Sequence, residues 1–320
     1  MRRTGTLCAA LVGSALLALA GQVGVGEGEV RRDPDSQTID DRRIARAIER
    51  EGGALLDEID VRTGEEMLAE HGSRAIVKLP ESPAREMDEA ELYEKCKPGV
   101  LVVRELYKCD HCPRWHTAAG GTAFVLSSDG VCVTNYHMFE NRSDTHVPFP
   151  VVCTSDGAVF VIKEVLAASH ADDVAIFRLG AGRKDDEAIP EGTREFTPIT
   201  LAESAAIGTK VALIAHPDNE CYTLTTGIIS RRSIARRGVN GDAEQESEVP
   251  TITVTCEYGV GSSGGPVMDM RGRAVGMVCN THTVWSGDGN RREPQMVRRR
   301  CIPADRILLL LASPAPEIAP

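Results

Sequence analysis

From Val100 onward, short apolar runs alternate with turn residues. The runs are rich in Val, Ile and Thr, a composition typical of β-strands rather than helices. Ser-Asp-Gly lies between two such runs at Ser128 and again at Ser155. The glycine of this motif supplies the positive φ angle that a tight hairpin turn requires. Short strands that follow one another without intervening helices predict an all-β fold, either a barrel or a sandwich of antiparallel sheet.

The segment of residues 21–89 has a different pattern, because it is charged and poor in aromatic residues. Four apolar residues recur there at roughly helical spacing on both sides of the pair Gly52-Gly53: Ile44, Ile48, Leu55 and Ile59. This spacing indicates helix interrupted by a glycine break. We therefore expect an N-terminal arm that is helical or partly disordered, ending in a linker marked by Pro80 and Pro83.

The first twenty residues have the layout of a secretory signal peptide. They begin with two arginines, continue with an apolar run from Leu7 to Ala20, and carry small residues at Ala18 and Ala20. The run is shorter than the ~20 residues that a membrane-spanning helix needs. We therefore predict cleavage after Ala20, no stable membrane insertion, and an exported protein that is periplasmic or extracellular.

Size and charge limit the classes of function. A chain of 320 residues with 42% hydrophobic residues can bury a sizeable core. Its formal net charge of -11 disfavours a nucleic-acid partner, because binding to a phosphate backbone depends on Lys and Arg. We interpret the arginine runs that begin at Arg231 and Arg298 as solvated charges.

The chain has ten cysteines, and export would allow disulfides. One possible pair is Cys256 with Cys279, since one enters and the other leaves the region of a glycine-rich serine turn. Cys109, Cys112 and His116 form a second group that could supply three tetrahedral ligands to zinc, but a fourth ligand is missing. We favour a local disulfide or loop staple for this group, and expect no metal or cofactor.

The glycine-rich turn contains Ser263, flanked by Gly261 and Gly264. A serine hydroxyl is a weak nucleophile near neutral pH and needs a base together with a group that orients the base. His137 ends one apolar run and Asp173 opens another, so both are candidates for these roles. The missing side chain of Gly261 lets the N–H groups of residues 261 and 263 point at one spot, as in an oxyanion hole.

An α/β-hydrolase is disfavoured as the source of this serine. The nucleophile of that fold lies between a parallel strand and a helix. Here Pro266 and another strand-like run follow the serine.

The segments TNYHM, DVAIFRL and GSSGGPV, in the order His, Asp, Ser, resemble the catalytic segments of the trypsin/chymotrypsin-fold serine proteases. The most similar branch is the bacterial Deg-type (HtrA-like) protease domain. The resemblance covers residues 90–312, leaves residues 313–320 as a short tail, and includes no PDZ domain. It implies two packed six-stranded antiparallel β-barrels with the site in the crevice between them.

The resemblance also implies the roles of individual residues. Ser263 is expected to be the nucleophile, His137 the general base and then acid, and Asp173 the orienting acid, with Asp172 as a competing candidate. The N–H groups of Gly261 and Ser263 form the oxyanion hole. The implied reaction is peptide hydrolysis through an acyl-enzyme on protein or peptide substrates, without a cofactor, in a protein that can form homo-oligomers.

Some alternatives remain open at this point. The chain could instead be a non-catalytic or latent trypsin-fold module that binds peptides, with the three residues retained but the oxyanion loop collapsed. A third possibility is a zymogen or self-processing enzyme whose arm, residues 21–89, blocks the cleft. Glu257 lies near the position where trypsin-like enzymes place the acid that selects Lys or Arg in the substrate, or it is a solvated loop charge. We slightly favour a preference for apolar substrate side chains. We expect the remaining candidate histidines to be turn, surface or loop residues: His146, His170, His216 and His282.

Overall fold

The computed structural model describes residues 37–312 except residues 110, 142, 144, 240–241 and 288–292. The predicted signal peptide, the first part of the arm (residues 21–36) and the tail (residues 313–320) lie outside the described residues.

The described residues form short helices at both ends of a chain that is otherwise mostly strand. The helices are α1 (Asp41–Ala47), α2 (Gly53–Glu58), α3 (Gly64–Ala69), α4 (Glu89–Cys96) and α5 (Ala304–Leu308). The strands are β1 (Ala75–Ile76), β2 (Val100–Lys108), β3 (Trp115–Val125), β4 (Val131–Thr134), β5 (Phe149–Cys153), β6 (Val159–Ser169), β7 (Val174–Lys184), β8 (Glu187–Ile189), β9 (Lys210–Ala215), β10 (Thr223–Val239), β11 (Asp242–Val254), β12 (Pro266–Asp269), β13 (Ala274–Ser286), β14 (Glu293–Pro303) and β15 (Leu311–Ala312). Within this part of the chain, none of the helices has both the length and the apolar character needed to cross a membrane.

The strands form two antiparallel barrels. In the first, the order is β4-β3-β2-β5-β6-β7, and pairing of β4 with β7 closes the ring, while β8 extends β7 at one edge. In the second, β10-β11-β14-β13-β12-β9 form a closed barrel. The two predicted hairpin glycines have positive φ angles, +85° at Gly130 and +86° at Gly157. The predicted all-β fold with two six-stranded barrels is thus confirmed.

Several strands are buried on both faces. Along β2, Leu101 and Val103 pack inside the first barrel, whereas Val100 and Val102 face a second core that both barrels share. Strand β9 divides in the same way between the interior of its own barrel and this shared core. Burial on both sides explains why these strands are continuous apolar runs in the sequence rather than alternating apolar and polar residues.

The predicted glycine break at Gly52-Gly53 does not interrupt the helix. A π-helical turn (Ile48–Gly52) joins α1 to α2, and the glycines allow a close approach to the first barrel. A Cβ atom at Gly52 would lie 2.7 Å from Leu106 Cδ1, and one at Gly53 would lie 2.6 Å from Trp115 Cδ1. The helix is therefore seated directly on strands β2 and β3.

An ion pair also attaches this helix to the first barrel. Glu51 is almost fully buried, and its carboxylate accepts hydrogen bonds from Arg50 Nη2 at 2.6 Å and from the backbone N–H of Asp186 at 3.2 Å. It also lies 3.4 Å from Arg183 Nε, on β7. Burial opposes ionisation of Glu51, but the hydrogen bonds from Arg50 and Asp186 lower its pKa overall.

The segments on either side of the two barrels meet in a small parallel sheet. Ala75 and Ile76 of β1 pair with Leu311 and Ala312 of β15. The backbone N–H of Ala75 donates to the carbonyl oxygen of Leu310 at 2.8 Å. The segment before the first barrel is thus joined to the segment after the second.

The predicted pairing of Cys256 with Cys279 is wrong. All nine cysteines among the described residues are free thiols. The sulfur of Cys256 faces the carbonyl oxygen of Val211 at 3.8 Å, whereas that of Cys279 faces a carboxylate oxygen of Asp173 at 3.4 Å. The two side chains are therefore directed at different partners.

Candidate active site

A cleft of about 590 Å³ brings together the residues that the sequence singled out for catalysis. His137 and Asp173 line it from the first barrel, and Gly261, Ser263 and Cys279 line it from the second. Each barrel therefore contributes part of the same site.

Strand pairing brings His137 to Asp173. His137 lies in a 3₁₀ turn directly after β4, and Asp173 immediately precedes β7. These two strands pair antiparallel at the closure of the first barrel, with Thr134 opposite Ala175. The end of one strand therefore lies beside the start of the other.

The imidazole and the carboxylate are in direct contact. His137 Nδ1 lies 3.0 Å from both carboxylate oxygens of Asp173, and the backbone N–H of His137 donates to Asp173 Oδ1 at 3.1 Å. Because an ionised carboxylate only accepts hydrogen bonds, the proton of a neutral His137 lies on Nδ1. Its Nε2 is then available as a proton acceptor.

The backbone of Asp173 has an unusual conformation that its neighbours hold in place. Its φ angle is +60°, in the left-handed region that few residues other than glycine, Asn and Asp adopt. The side-chain amide of Asn135 donates to the carbonyl oxygen of Asp173 at 3.0 Å, and the backbone N–H of Asp173 donates to the carbonyl oxygen of His170 at 3.1 Å. Such strain is typical of functional positions.

The competing acid, Asp172, has a different partner. Arg306 of α5 donates to both of its carboxylate oxygens, from Nε at 2.8 Å and from Nη2 at 3.0 Å. The hydroxyl of Ser169 donates to the same carboxylate at 3.0 Å. The hydrogen bond to Asp172 in turn raises the pKa of Arg306. Of the two adjacent aspartates, Asp173 faces the histidine and Asp172 holds the closing helix.

Ser263 lies in a tight turn that requires glycine at Gly261 and at Gly264. Gly261 has a φ angle of +93°, and a Cβ atom there would lie 2.3 Å from the carbonyl oxygen of His216. The hydroxyl of Ser263 donates to the carbonyl oxygen of Cys279 at 3.3 Å. Within the described residues it makes no hydrogen bond to His137, so the hydroxyl is held by its own barrel.

The turn directs its amides and its carbonyls differently. Within the part of the chain that the structure describes, the N–H groups of Gly261 and Ser263 donate to no protein acceptor. Their carbonyl oxygens both accept from Thr122 of β3, from its hydroxyl at 2.9 Å and from its N–H at 2.7 Å. Two nearby amides without a protein acceptor are what an oxyanion hole requires, and Thr122 fixes them from the opposite barrel.

His216, expected to be a turn residue, does precede a 3₁₀ turn, but it is also completely buried. Burial lowers its pKa to about 3, and the nearby Arg104 guanidinium acts in the same direction. Its Nδ1 accepts from the N–H of Tyr222 at 2.9 Å. A neutral, buried histidine thus supports the turn of Gly261, and no periodicity in the sequence indicates this burial.

Glu257 does not line the cleft. Its side chain is 74% exposed and pairs with Arg299 on β14. The next residue, Tyr258, is buried, and its hydroxyl bonds to the carbonyl oxygens of Asn280 at 3.1 Å and Arg300 at 2.8 Å. The tyrosine thus spans β13 and β14 beside the cleft.

Cys109, Cys112 and His116 also come together, away from this cleft. Each offers one ligand atom, and these atoms all lie within 4.8 Å of one another. They are at the end of the hairpin that joins β2 to β3.

Residues 121–277 match the family model of the trypsin-like peptidase domain. The chain is 30% identical over 157 residues to "Protease Do-like 1, chloroplastic" of Arabidopsis thaliana, covering 49% of this chain and 32% of that protein. It is 28% identical over 211 residues to "Serine protease HTRA1" of Xenopus laevis (66% and 42%). It is 27% identical over 177 residues to "Probable periplasmic serine endoprotease DegP-like" of Chlamydia trachomatis (55% and 31%). The chain thus aligns with less than half of the length of these relatives.

Proposed function

Because the chain contains a trypsin-like peptidase domain and is homologous to serine proteases of the HtrA/Do type, we propose that it is a serine endopeptidase. The reaction is hydrolysis of peptide bonds through an acyl-enzyme intermediate on Ser263. The observation that supports this most strongly is the His137–Asp173 pair, which lines one cleft together with Ser263 and with two amides that have no protein acceptor among the described residues.

The reaction begins with a rotation of the Ser263 side chain from the carbonyl oxygen of Cys279 toward His137 Nε2. As Ser263 Oγ attacks the carbonyl carbon of the substrate, its proton passes to Nε2. Asp173 accepts the hydrogen bond from Nδ1 and stabilises the imidazolium. The negative charge on the former carbonyl oxygen is stabilised by the N–H groups of Gly261 and Ser263, each worth about 10² to 10³ in turnover.

The intermediate then collapses. His137 returns the proton to the leaving amine, the peptide C–N bond breaks, and an ester forms on Ser263. Water attacks this ester with His137 again as the base, which releases the carboxylic acid product and the free serine. One water is consumed for each bond cleaved.

We propose that the substrates are proteins or peptides with a small or medium apolar side chain before the cleaved bond. Glu257 is paired with Arg299 outside the cleft, so it offers no carboxylate to a basic side chain. The buried Tyr258, which bridges β13 and β14, occupies space beside the cleft.

We place this activity outside the cytoplasm. The signal-like first twenty residues and the relative named as a probable periplasmic endoprotease support export.

One observation favours a second candidate, a latent form of the same enzyme. The hydroxyl of Ser263 bonds to Cys279 at 3.3 Å instead of to His137. In a latent form this hydrogen bond would persist until a partner or substrate changed the conformation of the turn that carries Ser263.

A fluorophosphonate probe tests the proposal, because it reacts only with a serine activated by its neighbours. The purified protein should be labelled and should cleave an unfolded protein, and Ser263→Ala should lose both properties. Ser262→Ala is the matched control, since Ser262 is fully buried and its hydroxyl has no hydrogen-bond partner among the described residues. A folded protein that shows neither labelling nor cleavage would contradict an active protease and favour the latent form.

A further inference from the structure

The cluster of Cys109, Cys112 and His116 has the dimensions of an assembled metal site. The two sulfur atoms lie 3.5 Å apart, and His116 Nε2 lies 3.4 Å from Cys109 Sγ and 3.0 Å from Cys112 Sγ. Zinc lies about 2.3 Å from sulfur and about 2.0–2.1 Å from nitrogen in tetrahedral sites. These bond lengths put two sulfur ligands about 3.8 Å apart and a sulfur–nitrogen pair about 3.6 Å apart. The three separations therefore need to grow by only about 0.2 to 0.6 Å to accept the ion.

The hairpin itself brings the three ligands together. Cys109 follows the last residue of β2, and His116 is the second residue of β3. The pairing of Tyr107 with His116 and of Lys108 with Trp115 fixes where the two strands face each other. Cys112 lies in the connection between them, so the spacing Cys-x₂-Cys-x₃-His places all three side chains at one end of the hairpin.

Contacts next to the cluster hold this end of the hairpin against the arm. Trp115 packs edge-on against Phe149, with ring centroids 6.0 Å apart, and its Nε1 donates to Asp57 of α2 at 3.2 Å. Lys108 Nζ lies 4.7 Å from the Trp115 ring centroid and donates to the same Asp57 carboxylate at 2.5 Å. The ligands are thus carried by a rigid frame to which helix α2 is attached.

We propose that Cys109, Cys112 and His116 bind a thiophilic divalent metal ion, with zinc as the ion that this donor set suits best. Two thiolates and one imidazole are ligands that zinc prefers. All three side chains are partly exposed, so the fourth position is open to water. The bound ion links the loop between β2 and β3 to strand β3 itself, and so stabilises the surface on which α2 is seated.

The disulfide favoured from the sequence is the competing explanation. The structure has free thiols at both positions, separated by 3.5 Å. A disulfide between Cys109 and Cys112 would leave His116 without a role in the cluster, whereas a metal ion uses all three donors.

The test is metal titration of the purified full-length protein, made metal-free and kept reduced with a phosphine. Zinc is titrated in competition with a chromophoric chelator, and Co²⁺ is added to a second sample. We expect one zinc per chain, and for Co²⁺ a thiolate charge-transfer band with the strong visible absorption of tetrahedral coordination. Because loss of even an outer-shell partner costs about 10- to 100-fold in affinity, Cys109→Ser and His116→Ala should each weaken binding by at least about 100-fold.

Arg114→Ala is the matched control, since Arg114 is an exposed residue of the same connection and should bind zinc as the parent does. Zinc should also raise the midpoint of thermal unfolding of the parent and of Arg114→Ala, but not of His116→Ala. No zinc binding by the folded, reduced protein would overturn the proposal, as would binding that persists in Cys109→Ser. A Cys109–Cys112 disulfide in a peptide map of protein purified without reductant would overturn it too. None of these measurements depends on protease activity.

Discussion

The two barrels contribute to the cleft in different ways. In the first barrel, His137 and Asp173 already contact each other, and they do so because the end of β4 lies beside the start of its partner strand β7. In the second barrel, Ser263 lies on a turn, and its hydroxyl bonds to the carbonyl oxygen of Cys279 on the neighbouring strand. The proposed base is therefore positioned by a sheet, whereas the proposed nucleophile is positioned by a loop.

This difference indicates in which barrel a conformational change that alters activity costs the least free energy. Sheet pairing is cooperative and resists local change, whereas loops are drawn from the less stable parts of a structure. The first barrel contacts the serine turn through Thr122, which bonds to the carbonyl oxygens of Gly261 and Ser263. Changes in either barrel should thus have distinguishable effects on stability and on turnover.

The largest expected effect on kcat/KM comes from a substitution in the first barrel. Asp173→Asn should lower kcat/KM by about 10⁴, because the amide no longer selects the tautomer of His137 that leaves Nε2 free. Its free energy of unfolding should change little by comparison. Cleavage of an unfolded protein, measured with chemical denaturation of the same samples, checks both quantities.

Asp172→Asn is the neighbouring control. It weakens the contact with Arg306, so it should cost about 1 to 3 kcal/mol of stability while the folded protein keeps its turnover. If both variants lost activity equally, the assignment of the two aspartates would be wrong.

The second effect concerns His216, which supports the serine turn. Its pKa is lowered from 6.5 to about 3 in the folded state, so between these values the unfolded chain binds a proton that the folded protein does not. The stabilising contribution is complete above about pH 6.5 and is lost as the pH falls toward 3. The free energy of unfolding should therefore decrease by about 2 kcal/mol from pH 7.5 to pH 5 because of this residue alone.

Comparing His216→Asn with the parent isolates this contribution, because Asn can still accept the hydrogen bond of Tyr222. Urea unfolding at the two pH values should show a smaller difference for His216→Asn. As a control, changing His71, which is only partly buried, to Asn should leave the pH dependence of the parent intact. An unchanged pH dependence in His216→Asn would mean that His216 is not buried in its neutral form.

The smallest effect is expected at the contact between the barrels. Thr122→Val removes the hydroxyl that bonds to Gly261 while keeping the backbone bond to Ser263. A typical hydrogen bond contributes about 1 kcal/mol, so kcat should fall by up to about tenfold with little change in KM. Steady-state kinetics would check this, with Thr251→Val as control, since the hydroxyl of Thr251 bonds to Ser233 within the second barrel. Equal losses in the two variants would show that the contact with Thr122 does not act on the site.

The sequence predicted what depends on local pattern. The strands, the two hairpin glycines Gly130 and Gly157, and the helix of the arm all follow from periodicity and turn chemistry. His137, Asp173 and Ser263 could be placed in one site because a resemblance supplied the relation between distant segments.

What the sequence could not provide depends on the direction of side chains in the folded molecule. The pairing of Cys256 with Cys279 failed because the folded chain directs the two sulfur atoms toward different acceptors. The continuity of the helix through Gly52 could not be foreseen, because glycine is needed there for the close approach of Leu106 on strand β2. The burial of His216 has no local signature either.

The pairing of β1 with β15 has a consequence for the order of folding. Ala75 pairs with Leu311, so this contact forms only after the strands of both barrels have been synthesised. Contacts between such distant residues are slow to form, because a long loop must close first. During synthesis the arm helices emerge before the strands that bury them, and they remain without their packing partners until the chain behind them is made. The small parallel sheet is therefore expected to be among the last contacts that the folding chain makes, and the segment that carries the arm helices is joined to the second barrel only at that stage.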